Sequence, residues 1–302
     1  MTDQTKALEA ALTGISGILV TPYDAAGEIA PERLVPIIDR ALGAGMHIPV
    51  VNGNTGEFYA LTTDEACTMA REVVGMVGDR APVLAGVGRG IRDACRLARM
   101  SADAGAAGLM VHQPPDPFVA PRGIVDYLHA VSDASGGLPM MLYLRNDAIG
   151  TAAIAALCAV PGVRGVKWAT PNPMRLAEAQ AACDPDIVWV GGLAEIWAPA
   201  FYAVGARGFT SGLINVWPER SMAIHAALEA GDYVHANALI AGMKAFEDIR
   251  AAEMNGTNVT GVKAALAAMG QDCGPTRPPS AWPLTAQQQH LLDGFLRAND
   301  LI

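Results

Sequence analysis

A chain of 302 residues that is 51% hydrophobic and only 17% charged has ample material for one large buried core, and a single α/β barrel with trimmings accounts for its length. Its net charge of −9 and the lack of any basic run disfavour nucleic acid and anionic membrane surfaces, both of which call for clustered Lys and Arg. The five cysteines, Cys67, Cys95, Cys158, Cys183 and Cys273, are odd in number and form no Cys-x-x-Cys pair, so they signal neither a disulfide framework nor a zinc site and read as small core residues in a reducing compartment.

The opening stretch MTDQTKALEAALTG carries acidic residues and no apolar leader segment, and no run reaches the roughly 20 apolar residues that span a bilayer. A cytoplasmic protein without a membrane partner is the expectation. The first strand, 15–20, runs into TPYDAAGE, where an open dinucleotide-binding sheet would normally place its glycine fingerprint. After a helix at 31–44, the strand at 47–51 empties into Gly53-Asn54-Thr55-Gly56-Glu57. Glycines beside small polar residues let backbone N–H groups converge, and a Thr hydroxyl adds a donor, so this turn suits a carboxylate. A helix at 63–77 leads to the strand 82–87, and GVGRG after it reads as a tight turn, since its spacing is a weak nucleotide signal.

A helix at 91–104 and a strand at 108–111 bring His112, the one histidine at a strand exit, into HQPPDPF; no histidine pair has metal-ligand spacing. Past the helix 121–134, the strand 139–144 ends LYLRND. Alternation puts Tyr143 and Arg145 on one face, giving either a satisfied phenol and a surface cation or a proton-transfer phenol and an anchor for a carboxylate. A helix at 151–159 precedes the strand 163–167, which delivers Lys167 followed by Trp168. Beyond the helix 171–182, the strand 187–191 and the helix 195–204 comes the last strand, 206–210, running into GFTSGLIN, where Thr210, Ser211 and Asn215 offer polar contacts. Helices at 217–230, 232–250, 258–269 and 285–298 complete the chain, with a Pro-rich break at 274–283.

Eight strands alternating with helices predict a (β/α)8 TIM barrel over 1–216 and a C-terminal α-helical extension over 217–302 packed on it as one structural unit. Active sites of such barrels lie at the C-terminal ends of the strands, where Tyr143 and Lys167 come off neighbouring strands. The chain has four lysines, Lys6, Lys167, Lys244 and Lys263. Lys167 alone looks placed, the others lying in helical or terminal polar settings. It reads either as a strand-end lysine that snorkels to water or as an amine made nucleophilic by partial desolvation.

Together and in order, GILVTPYDAAGEI, GNTGEFYALT, PVLAGVG, MLYLRND, GVKWAT and GPTRPP resemble the dihydrodipicolinate synthase / N-acetylneuraminate lyase family of class I pyruvate-type aldolases and dehydratases. The resemblance implies that Lys167 forms a Schiff base without any cofactor and that Tyr143 is the acid/base phenol. It also implies that Asn54 and Thr55 hold the carboxylate of a small 2-oxo acid, with Gly192 and the Thr210 backbone lining the pocket. It implies a homo-oligomer, dimer or tetramer. The sequence departs from the synthase pattern at Asn54, in place of a threonine, at Pro114 and Pro115, in place of a relay tyrosine, at Ala148, in place of an arginine, and at Trp168, where an acidic residue often follows the lysine. GNTGEF, YLRNDA, TSGLIN and FEDIRAAEMNG are more similar to the 5-dehydro-4-deoxyglucarate dehydratase branch, which implies a dehydratase of a 2-keto-3-deoxy sugar acid. Arg145 then becomes the anchor for a distal carboxylate, with Ser211 and His112 among the substrate-binding residues. An aldolase that releases or condenses pyruvate, and a non-catalytic 2-oxo acid binder, are the alternatives.

Overall fold

The computed structural model describes residues 3–302. Eight parallel strands close into a barrel in the order of the sequence. They are β1 (Ile15–Ile18), β2 (Ile48–Val51), β3 (Leu84–Val87), β4 (Gly108–His112), β5 (Met140–Leu144), β6 (Val163–Trp168), β7 (Val188–Gly191) and β8 (Phe209–Ser211). Most are short apolar runs, as strands buried on both faces require, while β6 carries Arg164 and Lys167 and β8 carries Thr210 and Ser211. One set of side chains fills the barrel, with Ile48, Val50, Leu84, Met110, Met141 and Val190 among them. The other set meets the surrounding helices. The TIM-barrel fold expected from the alternating pattern is therefore present.

A helix that the sequence reading did not anticipate, α1 (Asp3–Leu12), closes the N-terminal end of the barrel. Its Leu8 and Leu12 are fully buried in the same cluster as the barrel interior. Leu8, Ala11 and Leu12 follow helical spacing, which is the sequence signal of this helix. The ring of helices is α2 (Val35–Gly43), α3 (Thr63–Val77), α4 (Ile91–Asp103), α5 (Pro121–Ala134), α6 (Thr151–Cys158), α7 (Pro173–Ala181), α8 (Ala194–Ala203) and α9 (Pro218–Glu229). α3 shows how they form: Thr62 and Glu65 make a reciprocal capping box, and Ala66, Met69, Ala70, Val73 and Val77 give it one buried stripe.

α9 follows β8 and packs on α8 and β1, which makes it the eighth helix of the barrel. The barrel thus continues to Glu229, past the expected boundary at 216, and the extension begins with α10 (Tyr233–Ala241). The helix expected at 232–250 is interrupted at Gly242 and Met243, giving α10 and α11 (Lys244–Asn255); α12 (Asn258–Ala268) and α13 (Ala286–Ala298) follow. Within α11 the helical path stops after Ala251, because Glu253, Met254 and Asn255 all have φ between 53° and 67°. Thr257 Oγ1 donates to the carbonyls of Ile249, at 2.5 Å, and Ala252, at 3.1 Å, which occupies acceptors freed by the break.

The extension is bolted to the rim by buried charge. Lys263, expected in a polar helical setting, is fully buried and forms a 2.6 Å ion pair with Glu57 in the turn after β2. Its Nζ also donates to Pro275 O at 3.0 Å. Arg277, from the GPTRPP segment, pairs with Glu65 at 2.6 Å and donates to Gly27 O at 2.6 Å. Both cations lie over the ring of Tyr23, at 4.1 and 4.3 Å from its centroid. Among the described residues, no helix is long and apolar enough to cross a membrane.

Candidate active site

The C-terminal mouth of the barrel opens into a cavity of about 240 Å3. Asn54, Thr55, Tyr143, Lys167, Gly192 and Thr210 all border it. Strand geometry explains the convergence. Tyr143 and Lys167 occupy paired positions on β5 and β6, and both point inward, whereas Trp168 points outward into the helix layer against Trp189, 6.2 Å away between ring centroids. This settles why tryptophan follows the lysine: alternate residues of one strand serve the site and the outer core.

Lys167 is 3% exposed and has no ion-pair partner among the described residues. Burial, followed by the nearby Arg145 cation, lowers its pKa to about 7. Its nitrogen sits 3.9 Å from the centroid of the Tyr143 ring. Burial pushes the Tyr143 phenol up to about 12, so it is protonated at neutral pH. Asn54 Nδ2 donates to the Tyr143 oxygen at 3.0 Å. The departure from threonine at this position therefore replaces a hydroxyl, which both accepts and donates, with an amide nitrogen that only donates.

The turn after β2 is held from several sides. Asn52 has φ 59°, and its Nδ2 donates to Ala66 O at 2.9 Å. Thr21 Oγ1 donates to Gly56 O at 2.6 Å. Gly53 is required by proximity, because a Cβ there would lie 2.5 Å from Ile18 Cγ2. Gly192 is likewise fixed: its N–H donates to Trp168 O at 2.7 Å, and a Cβ would lie 2.6 Å from that same oxygen.

Three residues expected to bind substrate do not reach the cavity. Ser211 follows Thr210 on β8 and so points outward, where its hydroxyl donates to Glu195 Oε1 at 2.5 Å and lies 3.0 Å from Ser221 Oγ. His112 is buried against Phe58, with ring centroids 4.3 Å apart, and its Nε2 lies 2.9 Å from Asn52 O. A carbonyl can only accept, so Nε2 carries the proton, and burial depresses the imidazole to about 3, keeping it neutral. His112 thus braces the turn after β2 and stays out of the cavity. Arg145 is exposed, because β5 ends at Leu144 and alternation ends with it. Gln113 Oε1 accepts from the backbone N–H groups of both Arg145 and Asn146 at 2.8 Å, and the Arg145 guanidinium lies 5.9 Å from the ring centroids of both Tyr143 and Tyr59, beside the phenol but not among the residues that border the cavity.

The far wall of the cavity comes from the extension: Glu247, Arg250 and Ala251 on α11, Asn255 at its end and Asn258 at the start of α12. The sequence reading assigned these residues no role, although Glu247 and Arg250 alternate with buried Phe246 and Ile249 on a helix face that must pack inward. Arg250 pairs with Glu247 and donates to Asn258 Oδ1 from Nε at 3.1 Å and from a terminal nitrogen at 2.8 Å. Behind them lies Glu195, fully buried, whose Oε2 has no partner. Burial, with Glu247 adding like charge, pushes its carboxyl up to about 7.

A closed β/α barrel with a buried lysine and phenol facing one cavity at its C-terminal rim has the architecture of a class I lyase. The comparisons agree. The sequence profile described as the dihydrodipicolinate synthetase family matches residues 11–298. A Streptomyces coelicolor protein named probable 5-dehydro-4-deoxyglucarate dehydratase 1 is 31% identical over 307 residues, covering 98% of this chain and 96% of its own. The 4-hydroxy-tetrahydrodipicolinate synthase 1 of the same organism is 33% identical over 267 residues, 86% of each chain. The crystal structure of dihydrodipicolinate synthase from Oceanobacillus iheyensis matches with a TM-score of 0.93 at 34% identity, covering 99% of this chain and 100% of that one. The chain belongs to the dihydrodipicolinate synthetase family, as its motifs led one to expect, and is a class I lyase.

Proposed function

We propose that this lyase acts on a 2-oxo-3-deoxy sugar acid through an imine on Lys167, without a cofactor, and that it works as a dehydratase. The observation that carries the reading is the amine of Lys167, buried and poised near pH 7, facing the same cavity as the Tyr143 phenol. The converging N–H groups and the Thr55 hydroxyl of the turn after β2 hold the C1 carboxylate. The neutral Lys167 amine attacks the C2 ketone, whose oxygen departs as water, leaving a protonated imine. That imine withdraws electrons from C3, whose proton passes to the water released when the imine formed, and the resulting enamine expels the C4 hydroxyl. Tyr143, protonated at working pH, supplies the proton that turns this hydroxyl into water, and the Asn54 amide stabilises the phenolate left behind. Hydrolysis of the imine frees Lys167. Because an amide nitrogen cannot accept a proton, the phenol regains its proton from the substrate or from water and not through Asn54.

The dehydratase names of full-length relatives support loss of the C4 hydroxyl. If that hydroxyl were instead deprotonated, the same intermediate would break between C3 and C4 and release pyruvate, the aldolase outcome. Two measurements test the proposal. Borohydride with pyruvate is expected to add mass to Lys167, and an unlabelled lysine would refute the imine. Turnover of keto-deoxy sugar acids is expected to give a dehydrated product; stoichiometric pyruvate would replace dehydration with aldol cleavage.

A further inference from the structure

The cavity has two ends, and they differ in charge. The end at the turn after β2 presents Asn54 and Thr55 and, apart from Lys167, has no charged side chain at its border. Ile18, Leu193, Ala194 and Ile196 add apolar side chains to the same lining, which suits the deoxy carbon. The far end holds the only other cation at the cavity, Arg250, but that charge is already met by Glu247. Three of the five guanidinium N–H groups are taken, one by Glu247 and two by Asn258. Two donors remain, alongside the amide of Asn258 and a Glu247 carboxylate that accepts only from Arg250 among the described residues. Gly212 makes the arrangement possible, since a Cβ there would lie 2.3 Å from an Arg250 terminal nitrogen. The three left-handed residues at 253–255 end the helix and bring Asn255 to the cavity border. Such backbone strain persists only where surroundings hold it.

From this juxtaposition we infer that Glu247, Arg250 and Asn258 form a subsite for an uncharged, hydroxylated tail, so that the substrate is a keto-deoxy aldonic acid with one carboxylate and not a sugar diacid. The inference rests on the imine reading for its near end. Donors next to an acceptor match a vicinal diol, whose hydroxyls give and take hydrogen bonds together. A second carboxylate would accept from Arg250 but would sit against the Glu247 carboxylate. Like charges in one desolvated site oppose binding strongly. Arg145, the cation expected to offset a second carboxylate, does not border the cavity; its guanidinium lies 5.9 Å from the Tyr143 ring centroid, on the side of Lys167 and not beside Glu247 and Arg250. The tail inferred for this substrate therefore differs from that of the diacid for which the dehydratase relatives are named.

Calorimetric titration of full-length protein carrying Lys167→Met, which can neither form the imine nor turn either compound over, with 2-keto-3-deoxygluconate and with 5-dehydro-4-deoxyglucarate tests this independently of the imine. The aldonate is expected to bind at least about tenfold more tightly than the diacid. Adding Glu247→Gln, which keeps the shape and removes the negative charge, is expected to narrow that ratio by about tenfold. Equal or tighter binding of the diacid by the Lys167→Met protein would overturn the proposal even if the double variant failed to fold, and so would an unchanged ratio in a folded double variant. Pyruvate labelling of the wild-type protein separates the two readings. A labelled Lys167 with no tail preference sinks only the subsite, whereas tail preference with an unlabelled lysine sinks only the imine.

Discussion

At the scale of single residues, the site sets stability against chemistry at Lys167. Holding an amine at a pKa of about 7 means that the folded protein resists protonating it, while the unfolded chain protonates it readily up to its ordinary value of about 10.5. Between those values the unfolded state binds more protons, so this group destabilises the fold at neutral pH and less so as pH rises towards 10.5. Lys167→Met is therefore expected to abolish turnover while raising stability by roughly 2–4 kcal/mol, read as a higher denaturant midpoint. A variant that is inactive and also less stable would mean that the amine is not held in a desolvated site. The same shift fixes a pH profile. The nucleophilic fraction grows as pH rises through about 7, so the rate of imine trapping should climb there and then level off. Arg145 helps to depress Lys167 through space from outside the cavity. Arg145→Ala should move that inflection to higher pH and leave substrate affinity nearly unchanged, and a large loss of affinity with an unmoved inflection would restore it as a binding residue. These positions also show how far sequence reasoning reached. The period-two rule placed Tyr143 and Lys167 correctly because both lie inside strands. It failed at Arg145, where the strand had ended, and it was not applied at Ser211, where it would have turned the hydroxyl outward opposite to Thr210.

At the scale of elements, the turn after β2 is the part that the rest of the structure supports most heavily. His112 holds its first carbonyl from β4, Thr21 holds Gly56 from the loop after β1, and Lys263 holds Glu57 from α12. The last of these was hidden in the sequence, although the run Gly-Val-Lys-Ala-Ala-Leu places a cation among apolar residues on a helix, and such a residue is buried only when paired. What the sequence could not supply was the partner, because Glu57 lies on a distant element. Removing one member of a buried ion pair leaves the other unpaired in a dry environment and costs about 3–5 kcal/mol. Lys263→Met is expected to lose about that much stability and, by releasing Glu57, to raise KM for the 2-oxo acid through a loosened turn. Adding Glu57→Gln should recover part of the stability, because the orphaned charge is then gone. Urea midpoints for the single and double variants measure both effects, and a double variant no more stable than the single would show that the pair does not act as a pair.

At the scale of the whole molecule, the core shared by barrel and extension predicts that they unfold as one cooperative body. The outer core is a single cluster that runs from Leu19 and Val20 of the barrel into Val262, Leu266 and Phe295 of the extension. The buried pair Lys263–Glu57 and the half-buried pair Arg277–Glu65 cross the same boundary. The extension also supplies the far wall of the cavity, so the site is complete only when both parts are in place. The alternating pattern made the barrel legible, since eight apolar runs separated by helices admit few topologies. The extension was legible only as a set of helices, because what docks it is a handful of long-range pairs with no local period. Cutting the chain after Glu229 would strip apolar cover from the rim and leave Glu57 and Glu65 without their cations. Each fully buried Val, Leu, Ile or Phe so exposed removes roughly 1.5–3 kcal/mol, and a few of them match the 5–15 kcal/mol that holds a typical domain together. The intact protein is therefore expected to melt in a single calorimetric transition, with equal calorimetric and van't Hoff enthalpies for its cooperative unit, and the truncated barrel to lack a native transition. Two resolved transitions, or a truncated chain that still melts cooperatively, would show that the barrel holds itself together and that the extension is an addition to it.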